Sequence, residues 1–197
     1  MVKRIKPRAE FISSHENLAD FMKKRTYKAF PQIAMVGRSN VGKSSLMNHF
    51  FQNKKLAFVA KTPGKTRLLN FYKSHTYVFV DLPGYGYAKI SRKQRSLWGK
   101  TVHDFFENNE QLSLVLFLLD IRRDPNADDL LFYNWLQQNN LAHIFILTKT
   151  DKLNAYENKK RQEQIMNILN PKQESFFIHY SIFNKEGRDG LIKKLWD

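Results

Sequence analysis

No cysteine occurs among the 197 residues. Disulfides and thiolate metal sites are thereby excluded, and the composition suits a reducing compartment. Acidic residues are scarce beside basic ones, 18 Asp and Glu against 33 Lys and Arg, which leaves a formal charge of +15. A field of that sign favours polyanions, and ribonucleic acid is the expected partner. The basic residues lie in scattered clusters, among them Lys23-Lys24-Arg25, Arg92-Lys93 with Arg95, and Lys159-Lys160-Arg161. Long apolar runs are missing too: the longest, LVLFLL at 114–119, is far too short to span a bilayer. The opening, MVKRIKPRAEF, is basic without the apolar stretch of a secretory signal. Repeats and low-complexity segments are absent, and 42% apolar against 26% charged residues argues against disorder. The expectation is a cytoplasmic protein that binds no membrane and is monomeric.

What is present is an alternation of short apolar runs with amphipathic stretches. QIAMVG (32–37), LLNFYK (68–73), TYVFVDLP (76–83), LSLVLFLLDI (112–121), HIFILTK (143–149) and SFFIHYS (175–181) read as strands. Between and after them, 42–51, 91–109, 124–140, 155–169 and 190–196 read as helices, the fourth stopped by Asn170-Pro171. The pattern predicts an α/β fold: a doubly wound, mostly parallel sheet of six or seven strands with helices on both faces. Residues 31–197 would form that domain, and residues 1–30 a basic arm packed on it, with one short helix near ENLADFMKK. Ligands of such sheets bind beyond the carboxyl ends of the strands, so the chemistry should follow the strands directly.

It does. Gly37-Arg38-Ser39-Asn40-Val41-Gly42-Lys43-Ser44-Ser45 follows the first apolar strand and fits G-x-x-x-x-G-K-[ST]. Backbone N–H groups of such a loop wrap phosphates, and the glycines permit the curvature and the close approach. Lys43 would meet the β- and γ-phosphates, the Ser44 hydroxyl would ligate Mg²⁺, and the helix begins with its positive end toward the same anion. Asp81-Leu82-Pro83-Gly84 ends another strand and fits D-x-x-G. Here Asp81 would hold Mg²⁺ through water and the Gly84 N–H would sense the γ-phosphate. Thr148-Lys149-Thr150-Asp151 ends a third. A carboxylate there accepts the paired N1–H and N2–H₂ donors of guanine, which adenine lacks, while Lys149 lays its stem along the base. GTP and GDP are therefore the expected ligands. Between the first two motifs, KTPGKTR (61–67) looks like a polar loop in which Thr62 or Thr66 would ligate Mg²⁺; spacing alone does not choose.

GRSNVGKSSLMN, TPGKTR, DLPGYGYAK and TKTDKL in this order, after AEF at 9–11, resemble the EngB (YihA/YsxC) family of bacterial ribosome-assembly GTPases, of the translation-factor class. The resemblance covers almost the whole chain. It implies the P-loop, Ras-like G-domain fold, and Thr66 as the Mg²⁺ ligand within a nucleotide-contacting stretch of Gly64, Lys65, Thr66, Arg67 and Leu68. Lys43, Thr66 and Gly84 become the catalytic set. It further implies ribosomal RNA and the large ribosomal subunit as partners, a role in normal cell division and septation, and a K⁺ ion supported by Asn40.

One departure accompanies it. The last guanine-contacting motif usually reads Ser-Ala or Ser-Ser, but here it is Tyr180-Ser181-Ile182, where a tightly packed isoleucine would weaken binding. Tyr85 stands where many GTPases carry the glutamine that orients the attacking water, so slow hydrolysis is expected. The basic SRKQRS segment after it is a candidate RNA contact. None of the six histidines suggests a metal site; His143 and His179 read as structural.

Overall fold

Five of the predicted strand runs are rich in apolar residues, and four of them, within 32–37, 76–83, 112–121 and 143–149, are buried along most of their length, as strands covered on both faces must be. In the computed structural model, which describes residues 6–27, 29–58, 68–86, 92–171 and 175–196, they lie in one sheet with two flanking strands. The strands are β1 (Ala9–His15), β2 (Gln32–Gly37), β3 (Leu69–Ser74), β4 (Val78–Asp81), β5 (Leu112–Asp120), β6 (His143–Thr148) and β7 (Phe176–Tyr180). Their order is β1-β3-β4-β2-β5-β6-β7, with β4 through β7 parallel and β1 and β3 antiparallel at one edge. This is the mostly parallel, doubly wound sheet that the alternation of strand and helix runs predicts.

The helices are α1 (Leu18–Met22), α2 (Lys43–Phe50), α3 (Arg92–Glu107), α4 (Ala127–Gln138), α5 (Ala155–Leu169) and α6 (Glu186–Trp196). Successive strand residues point to opposite faces, so the core is split by the sheet. Ala34, Val36, Phe117, Leu119, Phe145 and Leu147 face α3, α4 and α5, meeting Phe105, Leu136 and Ile165. Ile33, Met35, Leu116, Leu118 and Ile146 face α2 and α6, meeting Met47, Phe50 and Leu191. Asn126 opens α4 and Asn154 opens α5, each with a reciprocal capping box completed by Asp129 and Glu157. Asn170 closes α5 in the left-handed region (φ 46°), immediately before the proline that prevents continuation.

The stretch expected as an arm contributes the seventh strand. AEFISSH pairs antiparallel with β3 and bulges between Phe11 and Ser13. The short helix behind it, α1, buries Phe21 flat against Phe71, with ring centroids 3.7 Å apart. Among the described residues no helix is long and apolar enough to cross a membrane.

Candidate functional site

Three strand ends, those of β2, β4 and β6, come together at the carboxyl edge of the sheet. The loop from Gly37 to Gly42 leaves β2 under tight constraint: a Cβ on Gly37 would lie 2.7 Å from the Leu118 carbonyl oxygen. Gly42 adopts φ 112° before α2 begins. The loop is held from behind by β6. Thr148 Oγ1 donates to the Val41 carbonyl (2.8 Å), and Lys149 Nζ to the Asn40 carbonyl (2.9 Å). With those carbonyls engaged on that side, and the Ser39 and Val41 N–H groups donating to the Tyr85 and Arg38 carbonyls, the other N–H groups of the loop are the ones that could meet an anion.

Lys43 and Asp81 oppose each other across this loop. Burial draws Lys43 below the usual lysine range, with Asp81 opposing the shift. Burial likewise pushes Asp81 up to about 6, against the pull of Lys43. Asp81 is buried, and among the described residues its Oδ1 has no hydrogen-bond partner. A buried carboxylate oxygen without a donor beside a phosphate-type loop fits a hydrated cation. Ser44, in the first turn of α2, is the matching hydroxyl.

Gly84 is pressed onto the phosphate loop. A Cβ there would lie 2.9 Å from the Ser39 backbone and 3.0 Å from Lys43 Nζ. Ser39 Oγ donates to the Gly84 carbonyl (3.2 Å), and Ser39 N–H to the Tyr85 carbonyl (2.9 Å). The Tyr85 side chain does not face this site. It is buried, and its hydroxyl donates to Asp129 Oδ1 at 2.6 Å. Burial, reinforced by Asp129, pushes that hydroxyl well up, so it remains a donor.

At the end of β6, Lys149 sits in the left-handed region (φ 63°) and ion-pairs with Asp120 Oδ2 at 2.9 Å. Arg122 reaches both oxygens of Asp120. Burial alone would raise the Asp120 carboxyl, but the Arg122 and Lys149 hydrogen bonds outweigh it and hold it well below the usual range. Asp151 follows: Oδ1 accepts from Ser181 Oγ (3.1 Å), and Oδ2 meets Lys152 Nζ (3.0 Å). Here too burial is outweighed, by Lys152 and then Ser181, and Asp151 is held low, hence ionised. Ser181, at the end of β7, is buried beneath it. Ser181 of the 180–182 segment thus lies beside Asp151.

A family model described as 50S ribosome-binding GTPase matches residues 32–149. A probable GTP-binding protein EngB of Clostridium kluyveri is 43% identical over 188 residues, 95% of this chain and 93% of that protein. The chain belongs to the EngB family of GTP-binding proteins. The probable EngB of Thermotoga maritima is 46% identical over 162 residues, covering 82% of this chain and 83% of that one. Among solved structures, a probable GTP-binding protein EngB superposes with a TM-score of 0.69 at 21% identity, over 84% of this chain and 96% of that chain. Era bound to MgGDPNP and a segment of 16S ribosomal RNA superposes with a TM-score of 0.65 at 24% identity, over 84% and 55%. At these identities the superpositions concern the fold.

The EngB-family loop residues Gly64, Lys65, Thr66 and Arg67, with Thr62, lie outside the described residues; Leu68, half-buried, leads into β3. Ile182 is 42% exposed, so its bulk projects into solvent and is not pressed into the core. Asp120 and Asp129 are additions that motif spacing does not reveal. Each is a carboxylate in the run DIRRDPNADD whose partner lies in a different strand end. The Asp120 anchor yields a prediction. Asp120→Ala removes the carboxylate that holds Lys149, and GDP affinity measured by calorimetry should fall about tenfold. Unchanged affinity would mean that Asn40 alone suffices to place Lys149.

Proposed function

We propose that this EngB-family chain is a guanine-nucleotide switch and slow Mg²⁺-dependent GTPase of the cytoplasm. It would act on ribosomal RNA of the large subunit during assembly and thereby serve normal cell division and septation. The observation that carries the reading is the pairing of an ionised Asp151 with Ser181 at the same sheet edge as the Gly37–Ser45 loop. One end of the site selects a planar donor pair, and the other wraps phosphate.

In this reading the N–H groups of the 37–45 loop that are not bonded within the protein, and the ammonium of Lys43, hold the phosphates. Ser44 and Thr66 would hold Mg²⁺ directly and Asp81 through water, the ion neutralising charge on the β- and γ-oxygens. Asn40 would support K⁺. Water attacks the γ-phosphorus in line, the bond to the β–γ bridging oxygen breaks, and GDP leaves with that oxygen. Lys43 and the Gly84 N–H stabilise the transferring group. With the Tyr85 side chain buried against Asp129, position 85 offers no group to orient the water. Slow turnover follows unless a partner supplies that group.

The ribosomal part of the reading rests on the family description, on the +15 charge, and on Era as a structural relative crystallised with ribosomal RNA. GDP and GTP should displace a fluorescent guanine nucleotide from the protein while ATP does not; equal displacement by ATP would overturn the guanine assignment. Sedimentation with large ribosomal subunits should be stronger with a non-hydrolysable GTP analogue than with GDP, and should weaken steeply between 50 and 200 mM salt. Salt-independent association would point to protein contacts in place of RNA.

A further inference from the structure

Tyr85 was notable in the sequence for what it is not, a water-orienting glutamine. In the structure its backbone and its side chain are attached in opposite directions. Its carbonyl accepts from the Ser39 N–H on the phosphate loop at 2.9 Å, and a short parallel bridge pairs it with Arg38. Its ring runs in the opposite direction, into the space between α3 and α4, where the hydroxyl reaches Asp129 Oδ1 at 2.6 Å and Phe132 lies alongside at 6.3 Å between centroids. Asp129 is 1% exposed. It is also fixed independently of Tyr85: its Oδ2 accepts from the Asn126 N–H at 2.8 Å, closing the capping box of α4. A hydrogen bond to so well-held an acceptor is a stiff attachment.

Gly84 lies one residue before this anchor and has no freedom of its own. Its carbonyl is bound by Ser39 Oγ, and a Cβ on it would press against the Ser39 backbone and the Lys43 ammonium. The placement of the Gly84 N–H relative to Lys43 therefore depends on where Tyr85 is held.

We infer that Tyr85 is a positioning residue for the γ-phosphate: its hydrogen bond to Asp129 braces the DLPGY turn against α4, and so presets the Gly84 N–H opposite Lys43. The side chain that replaces glutamine trades water orientation for a rigid sensor. This inference rests on the nucleotide assignment made above, and goes beyond it by naming an anchor that none of the nucleotide motifs supplies. Its consequence is selective. A γ-phosphate would have to enter between Lys43 and Gly84, which are in contact here, and should feel the anchor; a diphosphate would end short of Gly84 and should not.

The test is Tyr85→Phe, which keeps the ring and removes the donor. Affinity for a non-hydrolysable GTP analogue should fall about tenfold, while affinity for GDP stays within about twofold. Single-turnover GTP hydrolysis should slow along with the analogue. Asp129→Ala removes the same bond from the helix side and should give the same split. A purely structural role cannot produce it, because loss of packing or stability acts on both nucleotides alike. Parallel loss of GDP and GTP-analogue affinity in both variants, failure to bind any nucleotide included, would overturn the inference and reduce Tyr85 to a core residue. So would an unchanged ratio. Wild-type protein with no preference for guanine nucleotides over ATP would instead defeat the nucleotide assignment, a result that the variant-to-wild-type ratio does not touch.

Discussion

Asp151→Asn should lower the affinity for GDP by at least about a hundredfold and raise that for XDP. The carboxylate presents two acceptors, Oδ1 braced by Ser181 Oγ at 3.1 Å and Oδ2 facing Lys152 at 3.0 Å. Guanine meets two acceptors with two donors, N1–H and the 2-amino group. An asparagine replaces one acceptor with an amide NH₂, so a donor faces the 2-amino group and both are left unpaired within the complex, the costly outcome for polar groups removed from water. Xanthine carries a carbonyl at that position and restores the match. The change should leave stability nearly untouched, because the Asp151–Lys152 pair is partly exposed and such pairs contribute little. Displacement titrations with GDP and XDP decide it: undiminished GDP binding would remove Asp151 from the base site, and equal loss of both would mean that the loop had collapsed.

The three strand-end motifs were legible in the sequence because each joins two local signals, an apolar run and a polar turn of fixed spacing. The parallel sheet followed, since runs such as LVLFLL leave no polar face. Three features were not legible, and each depends on a long-range partner. AEFISSH has too weak an alternation to declare itself a strand, and its pairing is supplied by β3, about sixty residues further on. Tyr85 is followed by a glycine and a second tyrosine in a turn that looks exposed. Its burial is decided by Asp129, 44 residues later, which the sequence offers only as a first-turn acid of a helix. Asp120 ends an apolar strand, as many aspartates do, and its importance comes from the Lys149 ammonium that β6 brings within 2.9 Å. For Ile182 the type of residue suggested packing, but position decided otherwise: the backbone of 181–183 turns over Ser181 Oγ, and the isoleucine projects outward.

Asp81→Asn should move activity and stability in opposite directions. Turnover of GTP should fall on the order of a hundredfold, because the carboxylate proposed to hold the hydrated Mg²⁺ is neutralised. The same change should stabilise the nucleotide-free, Mg²⁺-free protein. Asp81 is buried with Oδ1 unbonded, and burial is the larger influence on both Asp81 and Lys43, outweighing their mutual attraction. A charge held in such a place costs more than the pair returns. The pH dependence carries the sign. With a folded-state value of about 6 against an ordinary 3.8, the folded protein retains a proton that the unfolded chain has released. Between those values the wild type loses stability as pH rises, and above about 6 the loss is complete, on the order of 3 kcal/mol. Asp81→Asn has no proton to release there, so its advantage should be absent near pH 4, grow through pH 5, and level off above pH 6. Thermal melts of both proteins in EDTA across that range measure it. If the variant were the less stable at pH 7.5, Asp81 and Lys43 would be a net stabilising pair, and the unbonded oxygen would not mark a cation site.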